Sequence, residues 1–515
     1  MLRGVFILTN IRDCVKDITF LEHYAQTHYD ISVIFNKYFQ IFKEEEMAYK
    51  KMDEKDLEFF KSILDAKRVL TGEQINPDYC HDEIDCVGVE EKFPDAVLRV
   101  LSTEEVSKIM KYCNDNLIPV VVRAAGTGLV GGAMPIMDCV MIDTTLMNKV
   151  LELDENDLTM TVQPGLLYQD CVAYAADHGY LYCPDPGSKT STVGGNVVTN
   201  AGGMRAVKYG CTRESVRGVT CVMPNGEVMV FGGKMVKNSS GYSFKDLIVG
   251  SEGTLAVVTE IVLKVLPMPK CTISLLLPFD NIDTCMEMVP KLIKFDTAPT
   301  AMEYCSRECV DNAQKYLDKG FPSNDFAACL LLTYDGKDED IVLSEIEKVI
   351  DYAMENGVSG EPLLVDSPDR HKVTWGTRSA FLEAIQASTS MMDECDVVVP
   401  RSHIAEFLKL ITATSAKFGM RLPCFGHAGD GNLHIYLCKD DMPEDKFMET
   451  AVLVFNDLYD GAKQMGGAIS GEHGIGFAKV PYLKREEGQE FIDLMHRIKL
   501  AFDPNEILNP GKVCY

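Results

Sequence analysis

The chain carries apolar residues at two spacings, one typical of amphipathic helices and one typical of short buried strands. Apolar positions three and four residues apart predict a helix over residues 53–64. A capping box formed by Ser102 and Glu105 predicts a second helix that runs through Lys111. Similar patterns predict a helix over residues 168–177, closed by Gly179, and strands over residues 120–122, 140–142, 160–162 and 257–265.

The pattern changes after a proline-bracketed segment, Pro267-Met268-Pro269, which is the best candidate for a domain boundary. Beyond it, strand-like and helix-like segments alternate, over residues 273–277, 330–333, 341–354, 404–416 and 445–465. This alternation predicts an α+β layer with helices on one face of an antiparallel sheet. We therefore expect an α+β protein with a first domain over residues 47–268 and a second over residues 269–500.

Composition and charge exclude several classes of function. The chain has 515 residues, of which 46% are hydrophobic and 25% charged, and no apolar run is long enough for an integral membrane span. Its net charge of -27 argues against nucleic acid as a partner. Its 18 cysteines are scattered and form no CxxC pair, which argues against an iron–sulfur cluster and indicates reduced core residues in a cytoplasmic protein.

Residues 1–46 differ from the rest because they show no clear period and end in Lys43-Glu44-Glu45-Glu46, just before Met47. Purine-rich codons for this run would resemble a bacterial ribosome-binding site, so we hypothesise that translation starts at Met47. An additional helical arm packed on the surface is an equally good interpretation. In either case we expect this N-terminal extension to matter little for the chemistry.

The first glycine-rich stretch directly follows the predicted strand at 120–122. It contains Arg123, Ala124, Gly126, Thr127 and Gly128. Glycines this dense let backbone N–H groups turn inward and form a nest for an anion such as a phosphate. A simple turn between two strands is the alternative. The stretch lacks the Lys-Ser/Thr ending of a Walker loop, and no helix-forming segment follows it as a Rossmann fingerprint requires.

A second glycine-rich stretch covers residues 184–203, and a shorter third one covers residues 250–255. Small residues in the second stretch alternate with Val193, Val197 and Val198, which a disordered linker would lack. Small side chains allow backbone to lie close against a flat ligand, and Ser, Thr and Asn supply hydrogen bonds beside it. The combination predicts a bound cofactor.

These stretches, with Lys208-Tyr209-Gly210 between the second and third, occur in the same order in FAD-linked oxidases of the vanillyl-alcohol-oxidase type. From about Gly72 onwards the chain resembles the branch that contains D-lactate dehydrogenase, the glycolate oxidase flavin subunit and D-2-hydroxyglutarate dehydrogenase. The resemblance implies a two-part FAD-binding domain, completed by residues 501–515, and an α+β cap domain over residues 269–500 with an antiparallel sheet. It implies that non-covalent FAD is contacted by Arg123, Ala124, Gly126, Thr127, Gly128, Pro186, Gly187, Ser191, Val193, Gly194, Gly195, Asn196, Thr199, Asn200, Ala201, Gly202, Glu252, Gly253 and Asn509.

Histidines are concentrated in two glycine-rich turns of the cap domain. His427 and His434 are seven residues apart, and the intervening turn at Gly429-Asp430-Gly431 can fold one back beside the other. Glu472 and His473 follow about forty residues later. Three histidines and a carboxylate suit zinc, iron(II) or manganese, although solvated loop histidines are the alternative. The resemblance implies that His427, His434 and Glu472 bind the metal and that His473 is the catalytic base.

The resemblance also implies oxidation of a 2-hydroxy acid by hydride transfer to flavin N5. It assigns the substrate carboxylate to Arg378, and we expect Asn432 to help orient a ligand. The hydroxyglutarate-type threonine and lysine after this arginine are missing, and residues 391–394 supply two methionines and two acids that should repel a dicarboxylate. We therefore expect a small monocarboxylate, with D-lactate favoured and glycolate next.

Without an iron–sulfur motif, electrons must pass to a partner, and we favour an electron-transfer flavoprotein over a separate iron–sulfur subunit or membrane quinone. Two other classes of function stay open. A metal-dependent hydrolase with a nucleotide-binding domain would lack a yellow chromophore. A non-catalytic FAD subunit would not need the set of histidines.

Overall fold

The computed structural model describes residues 49–83, 92–323 and 325–515. The interpretation of residues 1–46 as an extension or a misassigned start lies outside the described residues. None of the helices within these three ranges is long and apolar enough to cross a bilayer.

The first sheet has four strands in the order β1-β2-β4-β3, in which β2, β4 and β3 are parallel and β1 is antiparallel. The strands are β1 (Val69–Leu70), β2 (Ala96–Arg99), β3 (Val120–Arg123) and β4 (Val140–Asp143). Two helices, α1 (Glu54–Ile63) and α2 (Thr103–Asn116), contribute apolar residues to the same core. Both were predicted, but α2 continues past Lys111 to Asn116.

The start of α2 differs from a full capping box. Ser102 Oγ accepts the backbone N–H of Glu105 at 3.3 Å, as predicted. The Glu105 carboxylate, however, accepts the N–H of Leu101 at 2.8 Å and pairs with Arg68. The reciprocal half of the box is thus replaced by an ion pair with the segment that precedes β1.

The second sheet has five antiparallel strands in the order β5-β6-β10-β8-β9, and a two-stranded sheet joins β7 to β11. These strands are β5 (Val150–Asp154), β6 (Thr159–Val162), β7 (Tyr180–Leu181), β8 (Val216–Val222), β9 (Val228–Gly232), β10 (Val257–Lys264) and β11 (Leu266–Pro267). The associated helices are α3 (Tyr168–Asp177), α4 (Val193–Thr199), α5 (Ala206–Tyr209), α6 (Thr212–Ser215) and α7 (Phe244–Ile248). Helix α4 was not predicted; Thr192 Oγ1 caps it by accepting the N–H of Gly195.

The third sheet lies in the cap domain and has seven strands, all antiparallel, in the order β15-β12-β14-β13-β17-β18-β16. The strands are β12 (Cys271–Phe279), β13 (Ala301–Ser306), β14 (Ala328–Gly336), β15 (Leu363–Val365), β16 (Met392–Val398), β17 (Cys424–His427) and β18 (Asn432–Cys438). The antiparallel sheet was predicted, and its order places β17 and β18 between β13 and β16.

Helices cover both faces of this sheet, so the prediction of helices on one face was wrong. One face packs against α8 (Ile282–Leu292), α10 (Glu339–Glu355), α13 (Ile404–Phe418) and α14 (Glu444–Gln464). The other packs against α9 (Arg307–Leu317), α11 (Pro368–Ser379) and α12 (Phe381–Gln386). The physical reason is visible in β14, where Leu330, Leu331 and Leu332 are consecutive and all buried, so that neither face can be solvated.

Two further helices, α15 (Val480–Glu487) and α16 (Gln489–Phe502), lead back to the first sheet. Beyond α16, the N–H of Val120 in β3 donates to the carbonyl of Ile507 at 2.7 Å, and the N–H of Asn509 donates to the carbonyl of Val120 at 2.8 Å. Lys512 Nζ donates to the carbonyls of Gly132 and Met134 at 2.8 and 2.7 Å. Residues 507–512 thus lie against the first glycine-rich stretch.

A buried lysine connects this returning segment to the third glycine-rich stretch. Lys499 is fully buried, and its Nζ donates to Asp503 Oδ2 at 2.5 Å and to the carbonyls of Thr254 and Leu508. Replacing it with methionine should lower the free energy of unfolding by about 3–5 kcal/mol, because the Asp503 carboxylate would be left buried without its cation. Denaturant unfolding would measure the loss. The matched substitution at exposed Lys484, on α15, should change stability by less than about 0.5 kcal/mol, and equal effects at both positions would contradict the prediction.

Candidate active site

The hairpin formed by β17 and β18 brings two of the predicted metal ligands together. His427 pairs with Asn432 and Phe425 pairs with His434, so the pleat directs both imidazoles to the same face. Their ring centroids are 5.4 Å apart. The turn between the strands contains Gly431 at φ +93°, where an added Cβ would lie 2.0 Å from the carbonyl oxygen of Val399. A glycine-dependent turn therefore folds the two histidines together, as the sequence predicted.

Glu472 and His473 reach this face from a loop that is wrapped around a buried aspartate of β16. Asp396 Oδ2 accepts Ser470 Oγ at 2.9 Å and the backbone N–H groups of Gly471, Glu472 and His473 at 3.0–3.1 Å. Its other oxygen accepts Asn432 Nδ2 at 2.6 Å. The fully buried Asp396 carboxylate thus orients the loop that carries Glu472 and His473. It also holds Asn432, a third predicted site residue.

The predicted metal ligands converge on one point. Glu472 Oε1 lies 3.3 Å from His434 Nε2 and 3.7 Å from His427 Nε2. His473 Nε2 is 3.8 Å from the same oxygen. One donor atom from each of His427, His434 and Glu472 lies within 4.8 Å of the others. Two imidazoles and a carboxylate fit a divalent cation such as zinc, iron(II) or manganese.

Glu303 of β13 lies behind His427 and connects it to Arg378 of α11. Glu303 Oε1 is 2.7 Å from His427 Nδ1, and Glu303 Oε2 accepts two hydrogen bonds from the Arg378 guanidinium at 3.0 and 2.5 Å. A carboxylate on Nδ1 leaves Nε2 of His427 for a metal. Arg378 also lies 4.5 Å from the ring centroid of Phe425. Its contact with the substrate carboxylate stays a prediction, because in this structure its guanidinium is engaged with Glu303.

A second carboxylate, Glu394 of β16, lies between two of the histidines. Its Oε1 is 3.4 Å from His434 Nδ1 and 3.8 Å from His473 Nδ1, and it accepts the Tyr436 hydroxyl at 3.0 Å. The rings of His434 and His473 stack at 5.4 Å. The carboxylate therefore faces the Nδ1 edge of both rings, which leaves their Nε2 atoms directed towards Glu472.

The carboxylates of the site are kept ionised although they are buried. Burial opposes the ionisation of Glu472, but its hydrogen bond to His427 and the neighbouring imidazoles lower its pKa to about 2. The pKa values of Glu303 and Asp396 also lie below their ordinary values, because cationic partners outweigh burial. With Glu394, four carboxylates surround the three histidines and Arg378. Burial opposes the charging of His427 and His434, but the carboxylates raise the pKa values of both imidazoles above their ordinary value. The negative charge is therefore balanced by imidazolium here, and a divalent cation would replace these protons.

The site lies directly against the second glycine-rich stretch. A Cβ on Gly202 would be 2.7 Å from Glu472 Oε2, and a Cβ on Gly429 would be 2.8 Å from Val207. The glycine at 202 therefore allows the stretch that was predicted to line the flavin to touch a predicted metal ligand. A larger residue at this position would force the Glu472 side chain to shift.

Most of the predicted FAD contacts lie in the first and second glycine-rich stretches. Those of the first stretch follow β3 in a half-buried loop, and Arg123 donates from its guanidinium to the carbonyl of His81 at 2.5 Å. Those of the second stretch include helix α4, where Asn196 is buried and its Nδ2 has no hydrogen-bond partner among the described residues. A buried amide donor of this kind fits a cofactor that accepts a hydrogen bond.

Glu252 and Asn509, also predicted to contact FAD, make contacts within the protein. The Glu252 carboxylate accepts the N–H groups of Ile475 and Gly476 at 2.8 and 2.7 Å, and its carbonyl accepts Asn509 Nδ2 at 2.9 Å. Burial raises the pKa of Glu252, and these N–H groups oppose the increase. Together they tie the loop after His473 to the FAD-binding domain. Their contact with FAD stays a prediction.

The sequence interpretation missed Glu303 and Asp396 and considered Glu394 only as a charge. Each lies in a strand, at a position that faces the histidines. The available signal was an acidic residue inside an otherwise apolar strand, as in the run Cys395-Asp396-Val397-Val398-Val399. A buried acid in such a strand requires partners.

Comparison with known proteins identifies the family. The family model for the FAD binding domain matches residues 94–232, and the model for the C-terminal domain of FAD linked oxidases matches residues 268–513. The chain is 46% identical over 475 residues to a D-lactate dehydrogenase of Anaerostipes hadrus, which covers 91% of this chain and 99% of that protein. The chain belongs to the FAD-linked oxidases. This FAD-linked oxidase therefore contains an FAD-binding domain, which confirms FAD as the cofactor and leaves no basis for a hydrolase with a nucleotide substrate.

Other relatives of this FAD-linked oxidase carry different names. Glycolate oxidase subunit GlcD of Bacillus subtilis is 37% identical, over 82% of this chain and 89% of that protein. A probable mitochondrial D-2-hydroxyglutarate dehydrogenase of Oryza sativa is 30% identical, over 90% of this chain and 83% of that protein. The solved structure of p-cresol methylhydroxylase superposes with a TM-score of 0.72 at 18% identity, over 89% of this chain and 96% of that one. It confirms the predicted fold.

Proposed function

We propose that this FAD-linked oxidase converts a small D-2-hydroxy acid, with D-lactate favoured and glycolate next, to the 2-oxo acid. FAD is held non-covalently between the two domains, and a divalent metal is held by His427, His434 and Glu472. The observation that carries the proposal is the contact between Glu472 and Gly202, because it joins the metal ligands to the stretch that lines the flavin. Substrate held by the metal would then lie beside the flavin.

The protein's own residues perform the acid–base part of the reaction. His473 takes the proton from the substrate hydroxyl at Nε2, and Glu394 faces its Nδ1 to set the ring orientation. Asp396 holds the backbone of His473 so that the ring stays above Glu472. A metal held by His427, His434 and Glu472 would lower the pKa of the substrate hydroxyl, and FAD held by the glycine-rich stretches would supply the acceptor for the hydride from C2.

The residues around the site support a small monocarboxylate. Arg378 is the cation assigned to the single carboxylate, reached by exchange of one of its hydrogen bonds with Glu303. Met392 packs beside the site face of the sheet, and Glu394 is directed into the site. An added carboxylate on the substrate would meet acidic and apolar groups there. Relatives named D-lactate dehydrogenase at 46% and 34% identity agree with this preference.

The electrons leave to a partner, and we propose an electron-transfer flavoprotein in the cytoplasm. The sequence contains no CxxC pair that would supply an iron–sulfur relay. Most cysteines of the described residues are buried, and no disulfide joins two of them. A membrane quinone is the competing acceptor, and the two are distinguished by which of them restores the oxidised flavin spectrum.

Anaerobic titration of the purified protein tests the substrate. D-Lactate should bleach the flavin absorbance completely, glycolate more slowly, and L-lactate and D-2-hydroxyglutarate at least about 10-fold more slowly than D-lactate. For D-2-hydroxyglutarate the reason is the single carboxylate site in an otherwise acidic and apolar pocket, and for L-lactate it is the reversed configuration at C2, which would turn the C2 hydrogen away from the flavin. A flavin that is bleached fastest by D-2-hydroxyglutarate would overturn the substrate assignment, whereas a flavin that none of these acids bleaches would overturn the reaction.

Removal of the metal tests the ligand set. Dialysis against a chelator should abolish bleaching by D-lactate and leave the flavin absorbance unchanged, because the flavin does not depend on His427, His434 or Glu472. Addition of zinc, iron(II) or manganese should restore bleaching. The Glu472→Gln variant should lose most of its bound metal, measured by elemental analysis. Full activity after verified removal of all metal would contradict the proposed role.

A further inference from the structure

Exposed apolar side chains are concentrated on one edge of the FAD-binding domain. The segment 228–247 contains eight large hydrophobic residues that are each at least 39% exposed: Val228, Met229, Val230, Met235, Val236, Tyr242, Phe244 and Leu247. Val236 is 74% exposed and Tyr242 is 87% exposed. Single exposed hydrophobic residues are ordinary, but a contiguous set of this kind marks a binding surface.

The segment begins with an edge strand. β9 is the last strand of the five-stranded sheet, and among the described residues it pairs with β8 alone, so that no described strand lies on the other side of its backbone. Natural proteins protect such edges with charges, prolines or bulges because they invite pairing with another chain. Here Val228, Met229 and Val230 occupy the edge instead. We call residues 228–247 the edge surface.

The edge surface differs from the rest of the chain in charge. It contains three lysines and one aspartate, whereas the whole chain has 77 acidic and 50 basic residues. Lys234 is paired with Glu152 and Asp154, Lys245 is paired with Asp246, and Lys237 is exposed, so the edge surface together with its paired acids is close to neutral. An acidic protein is therefore repelled over most of this molecule, but not at the edge surface.

A single residue connects the edge surface to the stretch that lines the flavin. The Arg213 guanidinium donates to the carbonyls of Asp246 and Val249, the latter at 2.6 Å. Its backbone N–H donates to Asn200 Oδ1 at 2.9 Å. Asn200 ends helix α4 in the left-handed conformation. The edge surface is thus supported by the same residue that holds the end of the second glycine-rich stretch.

Electrons must leave through the FAD-binding domain, since the substrate side is closed by the cap domain. His427, His434 and Asn432 are all at least 94% buried, and no protein can reach them. We infer that the edge surface is the docking site for the protein that accepts electrons, a redox protein with an apolar docking face and an acidic rim. The inference rests on the proposed function for its chemistry. Oxidation of the 2-hydroxy acid to the 2-oxo acid releases two electrons and two protons: His473 takes the hydroxyl proton, and reoxidation of the flavin releases the hydride as two electrons and one proton. The two electrons reduce the partner.

The test uses the full-length flavoprotein and a recombinant electron-transfer flavoprotein as the probe. The double variant Val230→Glu with Val236→Glu places two charges on the edge surface without touching the predicted active site. The matched control, Ile341→Glu with Met354→Glu, changes two exposed apolar residues of α10 in the cap domain, which are 62% and 53% exposed. Flavin is reduced by light under anaerobic conditions, and reoxidation by the probe is followed in a stopped-flow instrument.

The edge variant should lower the second-order rate of reoxidation by about 10–100-fold, because each glutamate removes one apolar contact and repels an acidic rim. Reoxidation by a small dye should be unchanged in both variants. Photoreduction makes the outcome independent of the substrate, so failure of D-lactate to bleach the flavin would affect the proposed function alone. Unchanged reoxidation by the probe in the edge variant would overturn the inference. The inference would also be overturned if the edge variant lost self-association, or lost binding to quinone-containing vesicles, while its rate of reoxidation by the probe stayed unchanged.

Discussion

Replacing His473 with glutamine should slow reduction of the flavin by D-lactate by about 10²–10⁴-fold, the contribution typical of a general base. Glutamine has similar length and retains polarity, but it cannot accept the hydroxyl proton at the operating pH. The flavin content and the bound metal should stay as in the unmodified protein. Stopped-flow absorbance at the flavin maximum measures the rate, and elemental analysis measures the metal.

The control for this variant is His403→Gln. His403 is a half-buried histidine of the cap domain, and among the described residues its side chain has one hydrogen-bond partner, Glu406 on the same helical turn. It should reduce the rate by less than twofold. A His473→Gln protein that has lost its metal would show that His473 is a ligand, and the assignment of the base would then be wrong.

Replacing Asp396 with asparagine should reduce both the rate and the metal affinity. The carboxylate accepts bonds from Ser470 and from three consecutive backbone N–H groups on one oxygen and from Asn432 on the other. The side chain of the new asparagine has one acceptor oxygen and one amide NH2 group. Either the N–H groups of the loop or Asn432 Nδ2 would therefore face a second N–H donor in place of an acceptor. Loss of a residue that supports metal ligands lowers metal affinity by about 10–100-fold, and breaking a buried ionic network lowers stability by about 3–5 kcal/mol.

Ser470→Ala is the matched control for Asp396→Asn. It removes one hydrogen bond to the same carboxylate and one to the N–H of Gly474, but it leaves the charge and the backbone contacts intact. Its cost in stability should be about 1–2 kcal/mol. Metal is titrated into each metal-free variant, and the recovery of flavin bleaching by D-lactate measures its metal affinity. This affinity distinguishes Asp396→Asn from Ser470→Ala. Equal metal affinity in both variants would show that the Asp396 charge does not position the loop.

Local chemistry made part of the site predictable from the sequence. The turn at Gly429-Asp430-Gly431 implied that His427 and His434 share a face, and the structure places their rings 5.4 Å apart. The three glycine-rich stretches indicated a cofactor, and the family match confirms FAD. These predictions succeeded because glycine spacing and strand alternation act over a few residues.

The remaining features depend on contacts between distant segments. Glu303 meets His427 across 124 residues, and Asp396 meets the N–H of Glu472 across 76. An acid within an apolar strand does not reveal its partner until the strand order is known. Helix α4 was missed because Gly194 and Gly195 have low helix propensity. Its position is fixed by packing of Gly194 against Pro164, where a Cβ would lie 2.5 Å away.

The insertion of residues 507–512 beside the first glycine-rich stretch has a consequence for biosynthesis. Lys512 Nζ donates to the carbonyl of Gly132 across 380 positions, so the predicted FAD-binding surface is assembled from segments that are synthesised far apart in time. At ordinary rates of translation, roughly 20–80 s separate the synthesis of β3 from that of its partner at Ile507. During this interval β3 of the nascent chain lacks its partner at Ile507, and the predicted FAD-binding surface is incomplete. We therefore expect flavin to be acquired late, after the cap domain has been made, and the nascent chain to depend on chaperones until then.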